Sequence, residues 1–170
     1  NIEKGPRSGT SSSTIGWKAN WRDYDFNYYN GTVRVREDDL YKSMLNKYGI
    51  FANTWGDFYR GLYLFDRYKL DLTYPMLDRI WNNNNFTRRG FLNVIMSFVQ
   101  GMEYNILYHE DCRSAYNNDQ SVREMMNEGT ECDGDVYGEI YTPLEFIANF
   151  KGDCDSRTVF LYTILKRYNY

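Results

Sequence analysis

Between Trp17 and Arg36, apolar and charged residues alternate with period two, first in Trp17-Lys18-Ala19-Asn20-Trp21-Arg22 and again in Gly31-Thr32-Val33-Arg34-Val35-Arg36. Such alternation puts each class of side chain on its own face of a strand, and Asn30-Gly31 has the backbone preferences of a tight turn. This region predicts a small antiparallel hairpin. From Asp38 the period lengthens to that of a helix, with Leu40, Tyr41, Met44, Leu45 and Tyr48 on one side and Gly49 placed to stop it. Thr54 is a good N-cap for a second helix striped by Trp55, Phe58, Tyr59, Leu62 and Phe65. Pro75 opens a third, which ends in the turn-favouring run Asn82 to Asn85.

A fourth helix begins near Thr87 and is apolar nearly all round, through Phe91, Leu92, Val94, Ile95, Phe98 and Val99, which predicts an interior position. Thr142-Pro143-Leu144-Glu145 combines an N-cap, Pro at the first helical position and a capping-box Glu. The last helix should open at Asp153 and place Cys154 in its first turn. Residues 1 to 15, rich in Gly and Ser with one Pro, read as a flexible tail, leaving 16–170 as one domain.

Length and composition fit that division. The chain has 170 residues, 42% hydrophobic and 18% aromatic, enough for one buried core. A net charge of -3 without long runs of either sign gives no reason to expect nucleic acid as a partner. The many Tyr residues fit packing with a hydrogen-bonded hydroxyl as well as any stacking role. No apolar run approaches the ~20 residues of a membrane span. Asn30-Gly31-Thr32 and Asn85-Phe86-Thr87 match the N-glycosylation triplet and are read as turns.

Three cysteines, Cys112, Cys132 and Cys154, include no CxxC pair and no His at ligand spacing, so neither a structural metal nor another cofactor is expected. Cys112 and Cys132 flank the polar stretch Arg113 to Glu131, read as a loop. A disulfide closing it, in an extracytoplasmic setting, is one reading, and three reduced cysteines the other. With the bridge, Cys154 is the one free thiol.

A thiol attacks as thiolate, and the unpaired N–H groups of a helix's first turn stabilise that anion and, later, an oxyanion. Asp153 and Asp155 oppose the thiolate, and Arg157 is near enough in sequence to offset one of them. The plain alternative for Cys154 is a small buried hydrophobe at a helix start.

The segment from Thr142 to Arg157, with its Gly152-Asp153-Cys154-Asp155 turn leading an apolar helix, resembles the nucleophile region of the transglutaminase-like superfamily, in particular its bacterial cysteine peptidase branch. The upstream helix, taken as ending through Phe98 to Tyr104, resembles the one that packs ahead of the nucleophile there. The likeness covers residues 87 to 168; residues 1 to 86 resemble no family we can assign. It implies an α+β, papain-like fold of which this chain is mostly the helical, nucleophile-bearing portion, and Cys154 as nucleophile acting on a protein or peptide substrate. In that family His and Asp follow on sheet strands. Here the chain ends at Tyr170, so the domain reads as incomplete at its C-terminus, with a further segment or chain supplying both.

Two other residues bear on catalysis. Gln100 is a candidate oxyanion donor, or simply the partly buried end of an apolar helix. His109, the one histidine, precedes Cys154 where the family's base follows it, and reads as a surface residue or, if loop geometry allows, a base oriented by Glu110 and Asp111. The rival expectation is a non-catalytic module that recognises a peptide or glycan through Trp17, Trp21 and Trp55.

Overall fold

The alternation around Val33 and Val35 is a strand pair, longer than its pattern suggests and set in another register. The computed structural model describes residues 9–19 and 27–170; Trp21, the first eight residues and the connection between the two strands lie outside them. Strand β1 (Thr10–Ala19) runs antiparallel to β2 (Asn27–Arg36), with Thr10 opposite Arg36 and Ala19 opposite Asn27. Thr10 to Ile15, read as tail, are thus the first half of a strand. Thr10 to Thr14 are exposed, so their polarity marks a solvated edge and not a segment without partners. Asn30 and Gly31 sit mid-strand opposite Gly16 and Ile15, and no turn forms there. Gly31 serves close approach instead, since a Cβ would come within 2.2 Å of Met76 Cγ.

Four helices follow: α1 (Glu37–Tyr48), α2 (Trp55–Asp66), α3 (Tyr74–Asn83) and α4 (Arg88–Gln100). Their starts and stops follow the local chemistry. The Thr54 hydroxyl accepts from Asp57 N–H at 3.1 Å, Pro75 lies in the first turn of α3, and Thr87 accepts from Gly90 N–H at 3.0 Å. Helix α4 ends at Gln100 on Gly101, and Met102 to Tyr104, expected to prolong it, turn into strand.

That strand, β3 (Glu103–Leu107), is the centre of a small parallel sheet in the order β4-β3-β5. Strand β4 is Glu131–Asp133 and β5 is Lys151–Gly152. Parallel neighbours need crossovers, and helices supply them. The stretch read as a polar loop holds α5 (Cys112–Asn118) and α6 (Gln120–Asn127), capped by Asp111 and Asp119. Ala115 and Val122 bury one face of this pair against Ile106, with Met125 and Met126 beside them. Four apolar side chains were too few to outweigh the surrounding Asn, Asp, Ser and Gln in the pattern. A Cys112–Cys132 disulfide ties the start of α5 to β4.

The second crossover contains a short 3₁₀ turn, Tyr137–Glu139, and α7 (Pro143–Asn149), whose capping box between Thr142 and Glu145 is complete. The chain closes with α8 (Cys154–Arg167). The architecture is mixed α+β, mostly helical, with a small antiparallel pair. Its main core joins α4, α7 and α8 to β1 and β2. Phe98 packs on Trp17 at 4.8 Å and Phe146 on Phe160 at 5.0 Å between ring centres. Burial of each such ring contributes about 1.5–3 kcal/mol. Trp17, only 4% exposed, is a core residue and not a recognition residue.

Helix α1 keeps Leu40 against the main core but turns the later part of the expected stripe outward. Met44, Leu45 and Tyr48 are exposed, while Ser43 and Lys47 are buried. Ser43 Oγ lies 2.6 and 2.7 Å from the Asp66 carboxylate and 2.6 Å from Thr142 Oγ1. Lys47 donates to Glu145 at 3.1 Å and to the Ile140 carbonyl at 2.9 Å. Asp66 also accepts from Leu144 N–H at 3.0 Å and pairs with Lys69 at 3.1 Å. A polar network, not an apolar seam, therefore joins α1, α2 and α7. No helix among the described residues is long and apolar enough to cross a membrane.

Candidate active site

Cys154 is placed by a sharp reversal between α7 and α8. Phe150 ends α7 in the left-handed region at φ 55°, and β5 pairs Gly152 with Tyr104. Gly152 is buried where a Cβ would come within 2.7 Å of the Phe146 ring, so only glycine lets the strand pass there. Asp153 then caps α8, accepting from Ser156 N–H at 2.8 Å.

Two further contacts clamp this first turn. Ser156 Oγ, buried, accepts from Tyr141 N–H at 2.8 Å, tying it to the lead-in of α7. Arg157 donates to the Met102 carbonyl at 2.6 Å and lies over the Tyr104 ring at 5.6 Å, tying it to the end of α4. Arg157 is thus spent on the backbone and an aromatic face. Expected to offset a neighbouring carboxylate, it forms no ion pair with one among the described residues.

Cys154 is exposed and is the free cysteine. Its Sγ–H points toward Asp155 Oδ1 at 3.9 Å. Partial burial, then the charges of Asp155 and Asp153, push the thiol above its ordinary pKa, while the N–H groups of Cys154 and Asp155 pull the other way. Burial also raises the Asp153 carboxyl, against the stabilising bonds from Ser156. On one flank, burial and the Asp155 charge push the Tyr59 hydroxyl up to about 12; on the other, Tyr104 is raised by burial and the nearby thiol. At neutral pH the centre therefore presents a protonated thiol, a hydrogen-bond donor, beside two carboxyl groups.

The ligand atoms of Asp153, Cys154 and Asp155 lie within 4.8 Å of one another. Exposed acidic groups gather this way without an ion, and these three are consecutive in the chain.

The other sequence candidates stand apart from the thiol. Gln100 is the last residue of α4 and exposed, and among the described residues it makes no hydrogen bond to the groups around Cys154. His109, past the end of β3, has Nδ1 2.5 Å from Glu139 Oε1 and Nε2 3.8 Å from Glu110. Glu139 is its main partner; Asp111, expected to orient it, instead caps α5. The hydrogen bond to Glu139, opposed by slight desolvation, raises the imidazole pKa. Sequence reasoning missed Tyr59 and Tyr104, which the α2–α8 contact and the β3–β5 pairing bring to the thiol, and the part Ser156 plays in anchoring this turn to Tyr141 N–H.

Compared with known proteins, the chain matches no family model, no curated protein and no solved structure.

Proposed function

We propose that Cys154 is the nucleophile of a thiol-dependent acyl transfer, in the main hydrolysis of a peptide or protein amide, on a transglutaminase-like, papain-like scaffold. The observation that carries this reading is an exposed free thiol in the clamped first turn of α8, within reach of that turn's own N–H groups. Such N–H groups stabilise a thiolate and the oxyanion that follows attack.

A base takes the Sγ proton and sulfur adds to the carbonyl carbon. The C–N bond then breaks, the amine leaves with the proton, and water cleaves the thioester to restore the thiol. Since His109 faces Glu139, the base in this reading comes, with its orienting carboxylate, from a further segment or chain. A thiol held protonated until that base arrives is consistent with the raised pKa.

One feature favours a second reading, a non-catalytic peptide- or glycan-binding module. Trp55 is exposed and, with Phe58 and Tyr137, walls an open cavity of about 360 Å³.

The test is acyl trapping. The chain is incubated with an activated acyl ester and free imidazole, and adducts are mapped by mass spectrometry. The nucleophile reading expects acylation of Cys154 faster than that of a cysteine in an unstructured peptide. Equal or slower acylation, with alkylation showing the thiol to be accessible, leaves the binding module standing.

A further inference from the structure

The exposed stripe of α8 that starts at Cys154 continues through Thr158, Tyr162 and Lys166. These positions follow one another at intervals of four, so the stripe runs about 18 Å down one side of the helix. Helix α2 faces it with Tyr59, Arg60 and Tyr63, and with Arg67 just past its end, and the two helices enclose a groove of about 720 Å³. A second hollow shares Tyr63, Arg67 and Lys166 with the first and carries the groove past Arg167. Tyr63 and Tyr162 meet edge to face at 5.1 Å across it, giving an aromatic floor.

Four cations line this groove and its second hollow. Arg36, Lys47, Lys69 and Lys151 are paired with carboxylates. Among the described residues, Arg60, Arg67, Lys166 and Arg167 form no ion pair. Three of them lie over tyrosine rings: Arg67 at 4.6 Å from Tyr68, Lys166 at 5.4 Å from Tyr162 and Arg167 at 5.4 Å from Tyr74. An aromatic face positions a cation without neutralising it. Arg67 Nε, moreover, is buried with no acceptor.

We propose that the α2–α8 groove binds an acidic stretch of polypeptide and leads it to Cys154, an inference that rests on the reading of Cys154 as nucleophile. Carboxylates stand at both ends of the groove, Asp153 and Asp155 beside the thiol and Asp71 and Asp78 in the far hollow. A nucleic-acid strand, charged at every residue, would meet them. A peptide whose acidic side chains are confined to a short run would not. At about 3.3 Å per extended residue, that run lies roughly three to five positions from the carbonyl under attack.

Fluorescence anisotropy with a labelled peptide carrying a central Glu/Asp run, and with its Gln/Asn analogue, tests this. The acidic peptide should bind the intact chain, lose affinity with added salt, and bind the Arg60→Glu/Lys166→Glu double variant about tenfold or more weakly. Arg113→Glu, an exposed cation outside the groove, should leave binding unchanged, and Arg60→Gln/Lys166→Gln serves if charge reversal unfolds the protein. Equal binding of the neutral analogue, unchanged binding by the folded groove variant, or displacement by an oligonucleotide as strong as by unlabelled peptide overturns the proposal. Peptide binding without acylation at Cys154 would sink the nucleophile reading alone. Acylation without charge preference would sink this one alone.

Discussion

Two pairs of carboxylates in this molecule stand in opposite circumstances. Asp66 and Glu145 are almost wholly buried, yet Asp66 is met by Lys69, the Ser43 hydroxyl and Leu144 N–H, and Glu145 by Lys47 and Thr142 N–H. Asp153 and Asp155 are only partly buried, yet they share their surroundings with a thiol and two tyrosine hydroxyls and, among the described residues, with no ion-paired cation. Deep burial forces complete pairing, because an unpaired interior charge costs several kcal/mol. Near the surface the penalty is smaller, so like charges can be kept together where they shift the protonation of a neighbour. The first arrangement specifies how α1, α2 and α7 fit; the second adds to burial in raising the pKa of a thiol.

The contrast breaks most severely at Lys47. Lys47→Ala strands the buried Glu145 carboxylate and should cost about 3–5 kcal/mol in chemical denaturation at neutral pH. Lys47→Met combined with Glu145→Gln should recover most of that loss, because no charge is stranded and Gln can still complete the capping box. A loss below about 1 kcal/mol for the single variant would mean that water reaches the pair and that the network does not hold the helices together.

Asp155→Asn sharpens the same contrast from the other side. Its charge is the larger of the two that raise the thiol, so its removal should lower the Cys154 pKa and move the iodoacetamide rate profile to lower pH. Several-fold faster alkylation at neutral pH is the expected reading, with global stability little changed. Asp153→Asn should act in the same direction while keeping the α8 cap, Asn being as good an N-cap as Asp. An unchanged profile in both variants would leave burial alone responsible for the shift.

What was legible in the sequence was local. Thr54, Thr87, Thr142 and Asp153 each cap the helix their neighbours announced, because a cap is decided within four residues. What was missed was decided at long range. Gly31 follows Asn30 as a turn would, but it faces Met76 of α3, forty-five residues away. The apolar residues of α1 read as its inner face until the Ser43–Asp66 and Lys47–Glu145 pairs, set by α2 and α7, claimed the opposite one. Cys154 was visible as a thiol at a helix start. That Arg157 turns to Met102, and that Tyr104 arrives on a parallel strand, follow only from the β3–β5 pairing.

His109 and Glu139 lie between the two extremes, oppositely charged and in contact, yet exposed. Their hydrogen bond raises the imidazole pKa, so the protonated form is favoured in the folded chain. Stability from this pair is therefore present below the unfolded histidine value of about 6.5 and is lost as pH rises through the folded value. Solvent screens an exposed pair, so its effect on unfolding should be the smallest considered. Since His109 is the only histidine, its NMR titration is unambiguous. The midpoint should fall in Glu139→Gln and fall partway with added salt. Glu139 holds a backbone φ of 53° at the end of the 3₁₀ turn, next to Gly138, whose own neighbour is the Phe58 ring. If the pair fixes that turn, amide exchange around Tyr137–Glu139 should quicken as His109 loses its proton. An unshifted midpoint in Glu139→Gln would show that the contact does not persist in solution and that the turn is held by its other contacts, those of Val136, Phe58 and Tyr48 among them.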